Sequence, residues 1–146
     1  MILSDKDIII LLKEQKLLIE PIPAENEIEC THVNLHLDKI IKKYEEGILD
    51  LKNDSSVKSR EIHLQALGYD LKPGEFILAS TIEKITIPQG YFGFIETKGN
   101  IARAGIQAHN ADGHIDPGFS GTITLEIKNN CNNTIRIYPG IAIVQM

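Results

Sequence analysis

The stretch 96-ETKGNIARAGIQAHNADGHIDPGFSGTITLEI-127 gathers glycines, two histidines, two loop aspartates and a strand glutamate into one run. Its last part sets the fold. In "GTITLEI" (121–127), Ile123, Leu125 and Ile127 fall on one face, while Thr122, Thr124 and Glu126 fall on the other. That two-residue period marks a half-buried strand. The preceding "HIDPGFSG" (114–121) is a turn with a mechanism. Pro117 presets φ, Gly118 and Gly121 take conformations that other residues resist, and Asp116 can bond the turn's own amides.

On both sides the pattern repeats. Strands are predicted at 76–83, 85–87, 91–96, 106–110, 122–128, 134–137 and 141–145, separated by "KPG", "PQG", "DPG", "NNCNN" and "YPG". Earlier, "THVNLHL" (31–37) alternates, with Val33, Leu35 and Leu37 facing one way and His32, Asn34 and His36 the other. Another strand is expected at 17–22, ended by Pro21 and Pro23. The polar segment from Tyr44 to Arg60 reads as loop with a short edge strand. One helix stands out, from residue 5 to about 15: Ser4 can cap it, Asp5 and Asp7 suit its first turn, and Ile8, Leu11 and Leu12 form an apolar stripe. Short strands with Gly/Pro punctuation and a single helix indicate an all-β barrel or sandwich.

The 146 residues suffice for one domain with its own core, and 42% hydrophobic with 24% charged residues is globular composition. Tryptophan is absent and isoleucine abundant, so the core must be aliphatic. A net charge of -5 argues against a protein that grips nucleic-acid backbone non-specifically. Cys30 and Cys131 lie far apart without CxxC spacing and read as two reduced, half-buried thiols. No window reaches membrane-spanning length and no signal-peptide pattern opens the chain, so a cytoplasmic address is expected.

Several residues in the central stretch carry chemistry. Gly99 would let backbone amides approach a phosphate, Lys98 and Arg103 flank it with positive charge, and Asn100 could cap a short helical turn at 101–104. Glu126 is either a solvated strand carboxylate or a proton shuttle, and Asp116 either the first residue of a turn or a functional carboxylate. His109, Asp112, His114 and Asp116 have no standard metal-ligand spacing.

These residues resemble the dCTP deaminase and trimeric dUTPase superfamily, on the deaminase side. "MILSDKDI…LLIEPIP" is similar to the deaminase N-terminus. "CTHVNLHLDKI" (30–40) resembles a strand that usually reads Ser-x-Asp-[Val/Leu]-Arg-Leu-Gly. "IARAGIQAHNADGHIDPGFSGTITLEIKNN" (101–130) runs ungapped along the core pattern Leu-Ala-Arg…Ile-Asp-Pro-Gly…Gly-x-Ile-x-Leu-Glu. The resemblance implies a dUTPase-like (β-clip) distorted barrel with one N-terminal helix, assembled as a homotrimer with nucleotide sites between subunits. It implies that Glu126 activates a water that attacks C4 of a cytosine nucleotide without a catalytic metal. Magnesium accompanies the triphosphate, Arg103 positions the site, and Asp116 lies beside the deoxyribose. Lys98, Gly99, Asn100, Asp112 and His114 are the expected substrate-binding residues.

The departures from that pattern are specific. The usual Arg-Ser-Ser is Lys98-Gly99-Asn100, which keeps a charge but loses the bidentate fork and both hydroxyls. The usual Thr-Ala is Ala111-Asp112, which adds a carboxylate near an anionic substrate. Asn34, His36 and Asp38 stand where Asp, Arg and Gly are usual. "GIAIVQM" (140–146) stops where family members continue into a tail that closes over the nucleotide. Three readings therefore stand: deamination of dCTP or a related cytosine nucleotide, dUTP pyrophosphatase chemistry using Asp116 and magnesium, and nucleotide binding without catalysis.

Overall fold

The computed structural model describes residues 2–52 and 58–146. It opens with α1 (Asp5–Lys13), β1 (Leu18–Glu20), a 3-10 turn at Glu25–Glu27, β2 (Ile28–Glu29), β3 (His32–His36), β4 (Ile40–Tyr44), β5 (Ser59–His63) and β6 (Tyr69–Leu71). Then follow β7 (Phe76–Thr86), β8 (Gly93–Phe94), β9 (Glu96–Thr97), α2 (Gly99–Arg103), β10 (Ile106–Gln107), β11 (His114–Ile115), β12 (Ser120–Asn129), β13 (Ile135–Ile137) and β14 (Ala142–Gln145). The chain is mostly β with one sizeable helix, as the sequence pattern predicts.

A six-stranded antiparallel sheet runs β10-β12-β7-β4-β5, with β1 also on β7. A four-stranded sheet runs β2-β3-β14-β9, and β8 with β11 and β6 with β13 form two further strand pairs. Both faces of the enclosed space are aliphatic: Leu35, Leu37, Ile41, Leu71, Ile77, Ile85, Leu125, Ile127 and Ile143 are fully buried. Each such side chain withdraws enough surface to stabilise the fold by about 1.5–3 kcal/mol. Helix α1 covers one end. Ser4 and Asp7 form a reciprocal capping box there, and Ile8 and Leu11 point into the core. No described helix is long and apolar enough to cross a membrane.

The spine is the pairing of β7 with β12, which runs from Ser120 opposite Thr86 to Lys128 opposite Phe76. Between Thr122/Lys84 and Thr124/Ser80 the register shifts, leaving extra residues on β7. An even offset keeps every side chain on its own face, so Ile77, Ala79, Thr81, Glu83 and Ile85 all stay buried through the bulge. This is why 76–83 and 85–87 form one strand rather than two. Thr81, 1% exposed, holds the bulge: its hydroxyl accepts from the Ile123 amide at 3.0 Å and donates to the Glu83 carbonyl at 2.8 Å. Thr81 also bridges to Leu37, and the Asp38 amide donates to the Ser80 carbonyl at 2.9 Å. The two main sheets are thereby sewn together at the bulge.

Two buried carboxylates reinforce this frame. Glu83, 5% exposed, accepts from the backbone amide of His36 at 2.9 Å and meets His36 Nδ1 at 2.6 Å. Glu75 accepts from Lys43 Nζ, the Tyr69 hydroxyl and the Lys72 amide at 2.6, 2.7 and 2.8 Å. Burial acts to raise the Glu75 carboxyl, but those three donors prevail and hold it below the ordinary glutamate value. Burial, and then the bond to Glu75, pushes the Tyr69 hydroxyl up to about 12.

Several expectations are corrected. The predicted strand 91–96 divides at Ile95, because β8 pairs with β11 while β9 pairs with β14. The strand at 106–110 stops at Gln107, since the Ala108 amide is taken by the Thr97 hydroxyl at 2.9 Å. The expected edge strand between Tyr44 and Arg60 is the end of β4 and the start of β5, and residues 53–57 lie outside the described residues. Asn34 is buried instead of facing solvent, because the side chains of Glu29 on β2 and Lys98 at the start of α2 bond to it. Of the two free thiols, Cys131 is half-buried but Cys30 is exposed, at a turn with φ 45°.

Thr81→Val keeps the shape of this side chain but strands the Ile123 amide and the Glu83 carbonyl without partners. The expected loss is roughly 2–4 kcal/mol in urea unfolding, against less than about 0.5 kcal/mol for Thr124→Val on the exposed face.

Candidate active site

Glu126 sits on β12 opposite Leu78, between the fully buried Leu125 and Ile127. Their alternation points its carboxylate out of the core, yet the group is half-buried. Its Oε2 accepts from the backbone amide of Asn110 at 3.0 Å. That bond comes from the loop after β10, and β10 itself pairs with the end of β12. One carboxylate oxygen is thus fixed while the other makes no hydrogen bond within the described residues. A carboxylate so held can take a proton from a water and return it to a leaving group.

The loop that meets Glu126 is itself clamped. Gln107 Nε2 donates to the Asn110 carbonyl at 2.9 Å, and the Ile95 amide donates to the Gly113 carbonyl at 2.7 Å. At Gly113 a Cβ would lie 2.8 Å from the Ile95 carbonyl oxygen, so only glycine fits that approach. His109 packs beside it, with Nε2 3.4 Å from Glu96 Oε2 and Nδ1 buried without a hydrogen-bond partner among the described residues. His114 is exposed, and its ring lies 5.4 Å from those of both Phe92 and Phe94.

Helix α2 presents the remaining expected residues. Lys98 occupies its N-cap position and contributes no side-chain cap, and Asn100 lies inside the helix. The expected capping role for Asn100 is therefore corrected: the helix begins two residues earlier than the expected 101, at Gly99. Arg103 folds back along the helix, with its guanidinium 3.6–3.9 Å from where a Gly99 Cβ would project. It is exposed and makes no ion pair among the described residues. Lys98 turns the other way, donating to Asn34 Oδ1 at 2.6 Å.

Asp116 and Asp112 are both exposed. Asp116 opens the turn through its backbone, accepting from the Phe119 amide at 3.1 Å, and Gly118 takes φ 84°. The expected bond from the Asp116 side chain to the turn amides is not formed; backbone bonds alone close the turn, with Gly118 donating to Ile87 at 2.9 Å. Within the described residues, no hydrogen bond or ion pair joins Glu126 to Arg103, Asp112 or Asp116, and no three His, Cys, Asp or Glu side chains form a metal-binding group. The structure thus brings Glu126 together with the 108–113 loop, and Arg103 with Gly99, as two separate assemblies.

A family model described as dCTP deaminase-like matches residues 2–146. The chain belongs to that family. Among its relatives, the dUMP-forming dCTP deaminase of Hydrogenobaculum sp. is 37% identical over the whole chain and 80% of its own length. Those of Corynebacterium glutamicum and Coprothermobacter proteolyticus are each 38% identical, over 79% and 80% of their lengths. Among solved structures, a 2'-deoxycytidine 5'-triphosphate deaminase from Agrobacterium tumefaciens superposes with TM-score 0.76 at 19% identity. That match covers 98% of this chain and 46% of the other. A Staphylococcus bacteriophage 80alpha dUTPase superposes with TM-score 0.57 at 16% identity, over 88% of this chain and 86% of the other. The dUTPase-like fold of this dCTP deaminase-like chain rests on those superpositions.

Sequence reading singled out Glu126 but missed the amide that holds it. It also missed Asn34 and Glu29 as partners of Lys98. Neither has a local signal, because the bonded residues are far apart in sequence or on different strands.

Gly113→Ala forces the Ile95 carbonyl and the loop apart. The variant should lose about 1–3 kcal/mol of stability, read as a lower urea midpoint, because backbone rather than a flexible side chain must move. Gly99→Ala, whose new methyl meets only the Arg103 side chain, should keep the wild-type midpoint or raise it slightly.

Proposed function

We propose that this protein deaminates dCTP hydrolytically, with Glu126 as the group that takes a proton from water and passes it to the departing amine. The observation that carries the reading is the half-buried Glu126 carboxylate, fixed by the Asn110 amide; the sequence resemblance, which matches Glu126 to the family's glutamate, supports it. Water adds to C4 of the cytosine ring and one of its protons moves to the carboxylate, which passes it to the amino group as the C4–N bond breaks and ammonia leaves. The other proton of the water ends on N3 as C4 becomes a carbonyl. The ring keeps the oxygen, so dCTP and water become dUTP and ammonia.

Arg103 is the positioning cation in this reading, and the amides around Gly99 and Asn100 approach the phosphates. His114, Asp112 and Asp116 line the substrate side, with Asp116 beside the sugar. Magnesium enters as part of the substrate, on the triphosphate oxygens, and exposed Asp112 and Asp116 carry the hard oxygen ligands suited to it. Asp112 facing that ion would turn a repulsive carboxylate into a favourable one. The site lies between copies of a homotrimer, where separate surface assemblies such as Glu126 and Arg103 would converge from two subunits.

The relatives' name, dUMP-forming, supports a second step at the same site. There Asp116 would orient a second water onto the α-phosphate of dUTP, releasing pyrophosphate and leaving dUMP. Deamination and pyrophosphate release are then successive reactions of one bound nucleotide.

Purified protein supplied with dCTP and magnesium should release ammonia. Glu126→Gln should reduce that release by at least about a hundredfold while dCTP still raises the melting temperature. Asp116→Asn should abolish pyrophosphate release. No ammonia from any cytosine nucleotide, alongside clear thermal stabilisation by one, would instead establish a nucleotide-binding protein without catalysis.

A further inference from the structure

Two positions at which this sequence departs from the usual family pattern meet each other in the fold. Asn34 stands where aspartate is usual and Lys98 where arginine is usual, and they are bonded at 2.6 Å. Asn34 is 4% exposed and the Lys98 side chain 23%, so the ammonium is largely withdrawn from water beside a neutral amide. A charge in that position needs a counter-charge.

Glu29 supplies it from the end of β2. Its Oε1 accepts from Asn34 Nδ2 at 3.0 Å and lies 3.7 Å from Lys98 Nζ. The bond from Asn34, and then the charge of Lys98, hold the Glu29 carboxyl below the ordinary glutamate value. Asn34 thus uses both ends of its amide, accepting from the lysine and donating to the glutamate. The backbone is anchored at the same place, where the Lys98 amide donates to the Ile143 carbonyl at 3.0 Å. Strands β2, β3, β14 and β9 lie side by side, so the three side chains reach across the sheet to the start of α2.

We propose that Glu29, Asn34 and Lys98 form a tether that positions the α2 segment. Lys98 anchors that segment internally instead of contacting phosphate, and Arg103 is the α2 cation left to meet the triphosphate. Asparagine and lysine, standing where aspartate and arginine are usual, are bonded here, and Glu29 supplies the negative charge. This rests on the deaminase reading only for the identity of the nucleotide.

The test relocates the charge. Glu29→Gln leaves Lys98 without an anion, and Asn34→Asp sets a second carboxylate beside Glu29. The double variant Glu29→Gln/Asn34→Asp restores one carboxylate facing one lysine. Melting temperature is measured for all three, and dCTP and dCMP affinities are measured by calorimetry in a Glu126→Gln background, so that turnover plays no part. Each single variant should melt lower and bind dCTP about fivefold more weakly, and the double variant should recover both. Lys98→Met should weaken dCTP and dCMP by the same factor, whereas Arg103→Gln should weaken dCTP more than dCMP. The tether is overturned by wild-type behaviour in Glu29→Gln, by no recovery in the double variant, or by a Lys98→Met loss confined to dCTP. Failure of the wild-type protein to release ammonia would remove the deaminase reading and leave the melting-temperature comparison intact.

Discussion

The pairing of Phe76–Thr86 with Ser120–Asn129 is the constraint on which the rest of the molecule depends. It fixes which side chains of β12 enter the core and which leave it. Because Leu125 and Ile127 are buried to completion, the residue between them has no freedom to turn inward. Glu126 is therefore aimed by two isoleucine-and-leucine contacts it does not itself make. The bulge near Thr81 could have broken this alternation; its even offset preserves it, and the threonine hydroxyl satisfies the backbone groups that the offset leaves unpaired. Packing here comes before chemistry: the same strand that fills the barrel holds the carboxylate at its edge.

Charge is handled in two ways. In the frame, buried carboxylates are surrounded by donors: Glu83 by His36, and Glu75 by Lys43, Tyr69 and the Lys72 amide. Such groups are costly alone and acceptable only when fully bonded. At the candidate site the opposite holds. Arg103, Asp112 and Asp116 are exposed and without ion-pair partners among the described residues, which leaves them able to meet a ligand. Lys98 belongs to the first group by its contacts, although its position in sequence suggests the second.

The sequence made the fold class legible because periodicity and turn residues are local signals. "GTITLEI" shows its two faces, "DPG" shows its turn, and Ser4 with Asp7 shows the helix start. What local signals could not show is which strand pairs with which. Tyr91 to Glu96 reads as one strand, but the chain changes sheets at Ile95, where a partner 18 residues later competes for its backbone (Ile95 amide to Gly113 carbonyl). The site was legible in the same proportion. Glu126 could be named from its strand and the family resemblance, whereas Asn110, Glu29 and Asn34 act through backbone or cross-sheet contacts that spacing does not encode. Lys98 looked free for the same reason: its partner Asn34 is 64 residues away.

The central claim is that this strand register places the Glu126 side chain where a cytosine ring can reach it. A crystal structure of the Glu126→Gln protein with dCTP bound tests it most directly. The account predicts the side chain of residue 126 within about 3 Å of a water poised over C4, with Asn110 still bonded to that side chain. A base seated elsewhere, with residue 126 turned to bulk solvent, would contradict it.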